Sequence, residues 1–201
     1  MAVRIYIAAL TALTLSGYSS ALTENADQPT VLEQPPVPEE APEPSPPSLD
    51  LSRLTAPVAI LETLEKACQT KHASGAAISG GEFSESVSGI SPILESRLSA
   101  RPLPGEVWTV QTLETPILIG TVSGNPKACQ IIATSPFGDV LKDNVIDRLS
   151  SPIMRYVTYQ SGEMTIGVNQ TRLKKDDALF IDVLTYQANN DRPTTVHVIF
   201  Q

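Results

Sequence analysis

Histidine, cysteine and tryptophan are scarce: the 201 residues hold two His, two Cys and one Trp, and aromatic residues make up 5%. Each scarcity removes a class of chemistry. With only His72 and His197, far apart in the chain, no His-x-x-x-His metal pair exists. Cys68 and Cys129 are the only thiols, and without neighbouring His or Asp partners they do not make a zinc set. Phosphate-cradling Gly-rich loops, dinucleotide fingerprints, EF-hand loops and the Gly-x-Ser-x-Gly nucleophile elbow are also missing, so no cofactor and no metal is expected.

Positive charge is missing where negative charge collects. Between Leu22 and Leu51 there is no Lys or Arg, while residues 1–50 contain seven acidic side chains and one basic; residues 51–201 contain fifteen and thirteen. A near-neutral domain behind an acidic segment has no electrostatic footprint for nucleic acid or an anionic membrane surface. The short basic run Arg172, Lys174, Lys175 meets Asp176 and Asp177 at once, which reads as a solvated turn.

Long apolar runs are missing too. Ile5–Leu15 would make a helix about 16 Å long, roughly half the hydrocarbon thickness of a bilayer, which excludes an integral span. Preceded by Arg4 and followed by the small-residue stretch Ser16-Gly17-Tyr18-Ser19-Ser20-Ala21, it has the layout of a secretory signal peptide, residues 1–21, cleaved after Ala21. Leu15-Ser16-Gly17-Tyr18 follows the lipobox pattern of bacterial lipoproteins with Tyr18 in the place of the acylated cysteine. Lacking that thiol, the mature chain is expected to carry no lipid anchor.

What is abundant is proline, 17 in all. Eight of these, from Pro29 to Pro47, alternate with Glu33, Glu39, Glu40 and Glu43. Pro favours polyproline II and like charges repel, so residues 22–54 read as an acidic, disordered tether. Residues 55–201 then form a single domain. Its apolar spacing predicts a helix over Pro57–Lys71 with Val58, Leu61, Leu64 and Cys68 on one side, a Ser/Gly-rich loop to Gly89, and a helix capped by Ser91 with Pro92 in its first turn. β-branched runs follow at Val107–Leu113, Ile117–Val122 and Ala128–Thr134, and a helix over Phe137–Leu149. Four more strands are read at Met154–Tyr159, Glu163–Val168, Ala178–Tyr186 and Thr194–Phe200, with a hairpin turn at Gln160-Ser161-Gly162 and the alternation Met164, Ile166, Val168. The expected class is α+β, an antiparallel meander sheet with helices packed on one face.

In an exported chain the cysteine pair implies one disulfide, Cys68–Cys129. Three residues are candidates for chemistry. His72, beside Lys71 and Ser74, is placed to serve as base for Ser74, Ser79, Ser84, Ser86 or Ser88. His197 faces away from Val196, Val198 and Phe200. Asp182 shares a strand face with Phe180, Leu184 and Tyr186, where a carboxyl can acquire a raised pKa. These make a thin set beside an intact core pattern. The sequence therefore points to an exported, non-enzymatic binding or structural module, periplasmic or secreted, with an envelope, extracellular or cell-wall partner; the alternative is a small secreted hydrolase using a loop or strand His/Asp. Asn169-Gln170-Thr171 matches the glycosylation sequon, a three-residue pattern that does not by itself identify a route of export.

Overall fold

The computed structural model describes residues 48–176, 179–188 and 192–201; the expected signal peptide and nearly all of the expected tether lie outside them. In chain order the elements are α1 (Ala56–Glu62), a π-helical segment (Thr63–Gln69), α2 (Thr70–Ser74), a 3-10 turn (Gly80–Glu82), β1 (Val87–Ser88), α3 (Pro92–Arg97), β2 (Val107–Val110), β3 (Ile117–Val122), β4 (Asn125–Ser135), α4 (Gly138–Leu149), β5 (Val157–Thr165), β6 (Val168–Lys175), β7 (Leu179–Tyr186) and β8 (Thr194–Phe200). The fold is α+β. The strands form one sheet in the order β1-β2-β3-β4-β8-β7-β6-β5, with every neighbouring pair antiparallel. It is two meanders, β1 to β4 and β5 to β8, zipped together where the last strand pairs with β4.

The first helix shows why the sequence reads as it does. Ala56, Ile60, Leu64 and Cys68 recur every four residues and all are buried. At 100° per residue a four-residue step overshoots a full turn by 40°, so a uniform α-helix would carry Cys68 well off the buried side. The π-helical turns at Thr63–Gln69 rotate less per residue and cancel that drift. Cys68 then reaches Cys129 of β4 in a disulfide with Cα atoms 5.6 Å apart and a sequence separation of 61. Closing such a loop is worth roughly 4 kcal/mol in the chain-entropy model.

The main core lies on what we call the first face of the sheet. There Ile117, Ile119, Ile131, Ala133, Val196, Val198, Phe200, Ile181 and Val183 meet Ile60, Leu64, Ala67 and the α4 residues Leu141, Val145 and Leu149. α4 packs on α1, β7 and β8. The expectation of helices on one face fails for α3. Leu94 within it and Leu98 at its C-cap pack with Leu118 and Ile132 in a separate cluster, and because alternate residues of a strand point to opposite sides, these lie on the second face. Ser91 does cap α3, its Oγ accepting from Leu94 N–H at 3.3 Å.

Three further boundaries differ from expectation. Packing begins before residue 55: Leu51 is fully buried, and Leu49 is hydrogen-bonded with the backbone of Glu82 and Ser84. The Ser/Gly stretch contains the end of the first helix, a 3-10 turn closed by Ser79 and Glu82, and β1. The β5–β6 hairpin turns at Ile166-Gly167, not at Gln160-Ser161-Gly162, which lies inside β5. Gly167 supplies the positive φ, 77°, that such a turn requires. Consequently Arg172, Lys174 and Lys175 belong to β6 rather than a turn, and Met164 and Ile166 are exposed at 60% and 96%.

Candidate functional site

The second face differs in chemistry along the sheet. Over β3, β4 and β8 it is covered by α3 and the chain that follows it. Ser99 N–H donates to Thr195 Oγ1 at 2.8 Å and Ser99 Oγ to Pro193 O at 3.0 Å, while Leu103 N–H donates to Gln130 Oε1 and Gln130 Nε2 returns a bond to Leu103 O, both at 2.8 Å. Over β5, β6 and β7 the side chains are polar, aromatic and partly open to solvent.

Asp182 anchors that open part. It is opposite Arg172 on β6 and Ile199 on β8, and only 4% exposed. Its Oδ1 accepts from Gln170 Nε2 at 2.9 Å and Arg172 Nε at 2.7 Å; its Oδ2 accepts from Arg172 Nη2 at 2.6 Å and Gln201 Nε2 at 2.7 Å. Four donors, two of them from a bidentate guanidinium, hold the carboxylate as an acceptor. The bond to Asp182 raises the Arg172 pKa above its ordinary value. This group is built for position, since every lone pair a base would use is engaged.

Around it, the Tyr159 ring meets Phe180 edge-on with centroids 6.2 Å apart, the Arg172 guanidinium lies 5.8 Å from the Phe180 centroid, and Lys174 Nζ lies 6.0 Å from that of Tyr159. β5 closes the sheet on this side, and all nine of its residues are exposed. Val157, Tyr159 and Met164 are each at least 60% exposed. Register shifts between Thr158 and Gln160 and between Glu163 and Thr165 break the outer backbone into short lengths. Such bulges blunt an edge against indiscriminate strand pairing, and leave recognition to side chains.

The other candidates are separated from this group. His197 is on the second face, opposite Ile132 of β4 and Leu184 of β7. It is 1% exposed and neither ring nitrogen has a hydrogen-bond partner among the described residues; burial pushes its pKa down to about 4. His72 stands beyond the first face. Its ring meets Phe200 edge-on at 5.3 Å and its Nδ1 lies 3.3 Å from Lys127 O. The sheet thus lies between His72 and both Asp182 and His197. Nor do the loop serines turn to His72: Ser74 and Ser86 donate to the carbonyls of Lys71 and Gly80, and Ser84 Oγ pairs with Ser48 Oγ.

No family model, curated protein or solved structure matches this chain. Among the described residues no three His, Cys, Asp or Glu side chains are grouped to hold a metal ion, and no helix is long and apolar enough to cross a membrane. An apolar recess of about 570 Å³ opens between the start of α1 and α4, walled by Pro57, Phe137, Val140 and Leu141. It includes none of His72, Asp182 and His197. The residues that sequence reading missed are Arg172, Gln170, Gln201 and Tyr159. The available signal was Gly167, which places the β5–β6 turn and so puts Arg172 in β6, where the β6–β7 register sets it opposite Asp182.

Proposed function

We propose that the chain is an exported, non-enzymatic binding module, periplasmic or secreted, held on its proline-rich tether, and that it engages a protein partner in the envelope or outside the cell through the β5 end of the sheet. The observation that carries this reading is the exposure of Val157, Tyr159 and Met164 on a terminal strand, beside a patch stiffened by the Asp182 network. Apolar and aromatic side chains held on a rigid sheet make contact area at low entropic cost, the property that hot-spot residues share. The bonded Cys68–Cys129 pair suits an oxidising compartment.

The hydrolase alternative needs a base beside a nucleophile or a second carboxyl. His72 is the one exposed enough to meet a substrate, so it carries the test. In cells lacking the native gene, Tyr159→Lys combined with Met164→Lys should abolish the protein's role without lowering its melting temperature, while His72→Ala should leave the role intact. Loss of the role in His72→Ala with unchanged folding, or full function of the double lysine variant, overturns the reading. Deleting Pro29–Pro47 should impair a module that depends on reach.

A further inference from the structure

We propose that His197 is a proton-operated latch beneath the strap formed by residues 91–104, and that protonating it releases the strap from the second face while the first-face core stays closed. Side-chain groups of the second face pin the strap's backbone on either side of its middle, Thr195 at Ser99 and Gln130 at Leu103, while Ser91 N–H on Thr109 Oγ1 and Pro104 O, accepting from Ser123 N–H, hold its two ends. Between those pins, on the same face of β8 and β4, lie His197 and its register partner Ile132. The side chain is 1% exposed, and the strap meets the face on either side of it, at Thr195 and at Gln130.

Two features make this the weak point of the fold. The strap's own cluster is four buried residues, Leu94, Leu98, Leu118 and Ile132, against the far larger first-face core. And among the described residues the imidazole has no acceptor for a second N–H, both nitrogens being without partners, so an added proton creates an uncompensated buried charge.

The surrounding groups offer no relief. From β4 the neighbours on this face, Gln130, Ile132 and Thr134, do not titrate. From β7, Leu184 is directly opposite; Asp182 and Tyr186 are diagonal, the first with both oxygens engaged by Arg172, Gln170 and Gln201, the second neutral, its pKa raised by burial. From the strap, Glu95, Arg97 and Arg101 are exposed, and Arg192 Nη1 donates to Leu98 O at 2.7 Å. An imidazolium here is stabilised only by lifting the strap and admitting water.

Hydrogen exchange on the mature full-length chain, corrected for intrinsic rates, tests this at Ser99 and Leu103, whose amides are the pins. With His197 at about 4 under the strap and about 6.5 once wetted, the strap's opening constant should rise about 80-fold from pH 8 to pH 4.5. Amides of β4 and α4 should show no such rise. His197→Leu, which fills the site without a proton acceptor, should abolish the dependence. Leu98→Ala should raise opening at every pH and keep the 80-fold dependence, which decides the matter should His197→Leu fail to fold. A pH-independent strap in wild type or Leu98→Ala, an unchanged dependence in His197→Leu, or joint opening of strap and α4 each overturns the proposal.

Discussion

The two faces of the sheet come from the same alternating strands, yet they hold in different ways. The first is closed by α1, the π-helical segment and α4 around a continuous apolar core and a buried disulfide. The second carries a four-residue cluster, a strap fixed by side-chain hydrogen bonds, an unpartnered histidine and a sealed carboxylate. Apolar burial is non-directional and sums over area, whereas a polar contact holds only while its partners are in place. The first face should therefore set global stability, and the second should respond to conditions. That contrast can be broken in four places.

The disulfide should matter most. Replacing Cys68 and Cys129 together by Ala should cost about 4 kcal/mol, the loop-closure entropy of their 61-residue separation. Urea unfolding measures it as a lowered midpoint. A loss under about 1 kcal/mol would mean that the packing around the π-helical segment holds without the bond, and the first face would rest on apolar contact alone.

Acid should come next, through the second face. The folded-state pKa of His197 is pushed down to about 4 from an ordinary 6.5. A depressed histidine contributes its full stability above 6.5 and loses it as pH falls through 4, because between those values the unfolded chain binds the proton and the folded one does not. At pH 4.5 the loss should be about 2.5 kcal/mol relative to neutral pH. Comparing wild type with His197→Leu across pH 7.5 to 4.5 isolates it from the carboxylates, and parallel curves would remove His197 from the account.

Close packing at the join of helix and sheet should rank third. A β-carbon on Gly138, at the start of α4, would fall 2.1 Å from Thr194 Cβ, whereas one on Gly162 in β5 would meet nothing within 4 Å. Gly138→Ala should destabilise by about 2 kcal/mol through overpacking, and Gly162→Ala should be near neutral, with thermal melts of the pair as the measure. Equal costs at the two sites would mean that α4 rides loosely on β8.

How much of this could be read from the chain alone follows the same division. Three- and four-residue spacing of Val58, Leu61, Leu64 and Cys68 disclosed the helix and the buried side of Leu64 and Cys68, since burial against a core imposes a period, but Ala56 and Ile60 take the buried side in its first turns where Val58 and Leu61 are only half-buried. Ser91-Pro92 disclosed the start of α3 by capping chemistry, but not the face it lies on, because a cap has no knowledge of the sheet. The faces of Asp182 and His197 were legible from strand alternation. The donors that seal Asp182 were not: Arg172 sits ten residues away across a hairpin, and reading the turn at Gln160-Ser161-Gly162 put it in a loop. Met164 and Ile166 misled for a related reason. Period-two alternation marks a strand with one buried side, yet here it falls on an exposed strand and its turn, where none of the described residues covers it.

That misreading supplies the smallest expected effect. Ile166 is 96% exposed at the hairpin tip, beside Gly167. A side chain already in water gives up almost no transfer free energy when made polar, and surface changes away from caps and cores usually stay within about 0.5 kcal/mol. Ile166→Ser should accordingly leave the denaturation midpoint unchanged, as should Met164→Ser. The value of so small an effect lies in its alternative. A loss of about 2 kcal/mol on Ile166→Ser would be the cost of unburying an isoleucine, and would mean that this end of the sheet is covered in solution. Repeating the melt over a hundredfold range of protein concentration separates the sources, because stability borrowed from a second copy rises with concentration while an intramolecular contact does not. A concentration-dependent loss would move the β5 end from an open binding surface to an interface between copies of this chain, and would erase the difference in cover between β5 and the strands at the centre of the sheet.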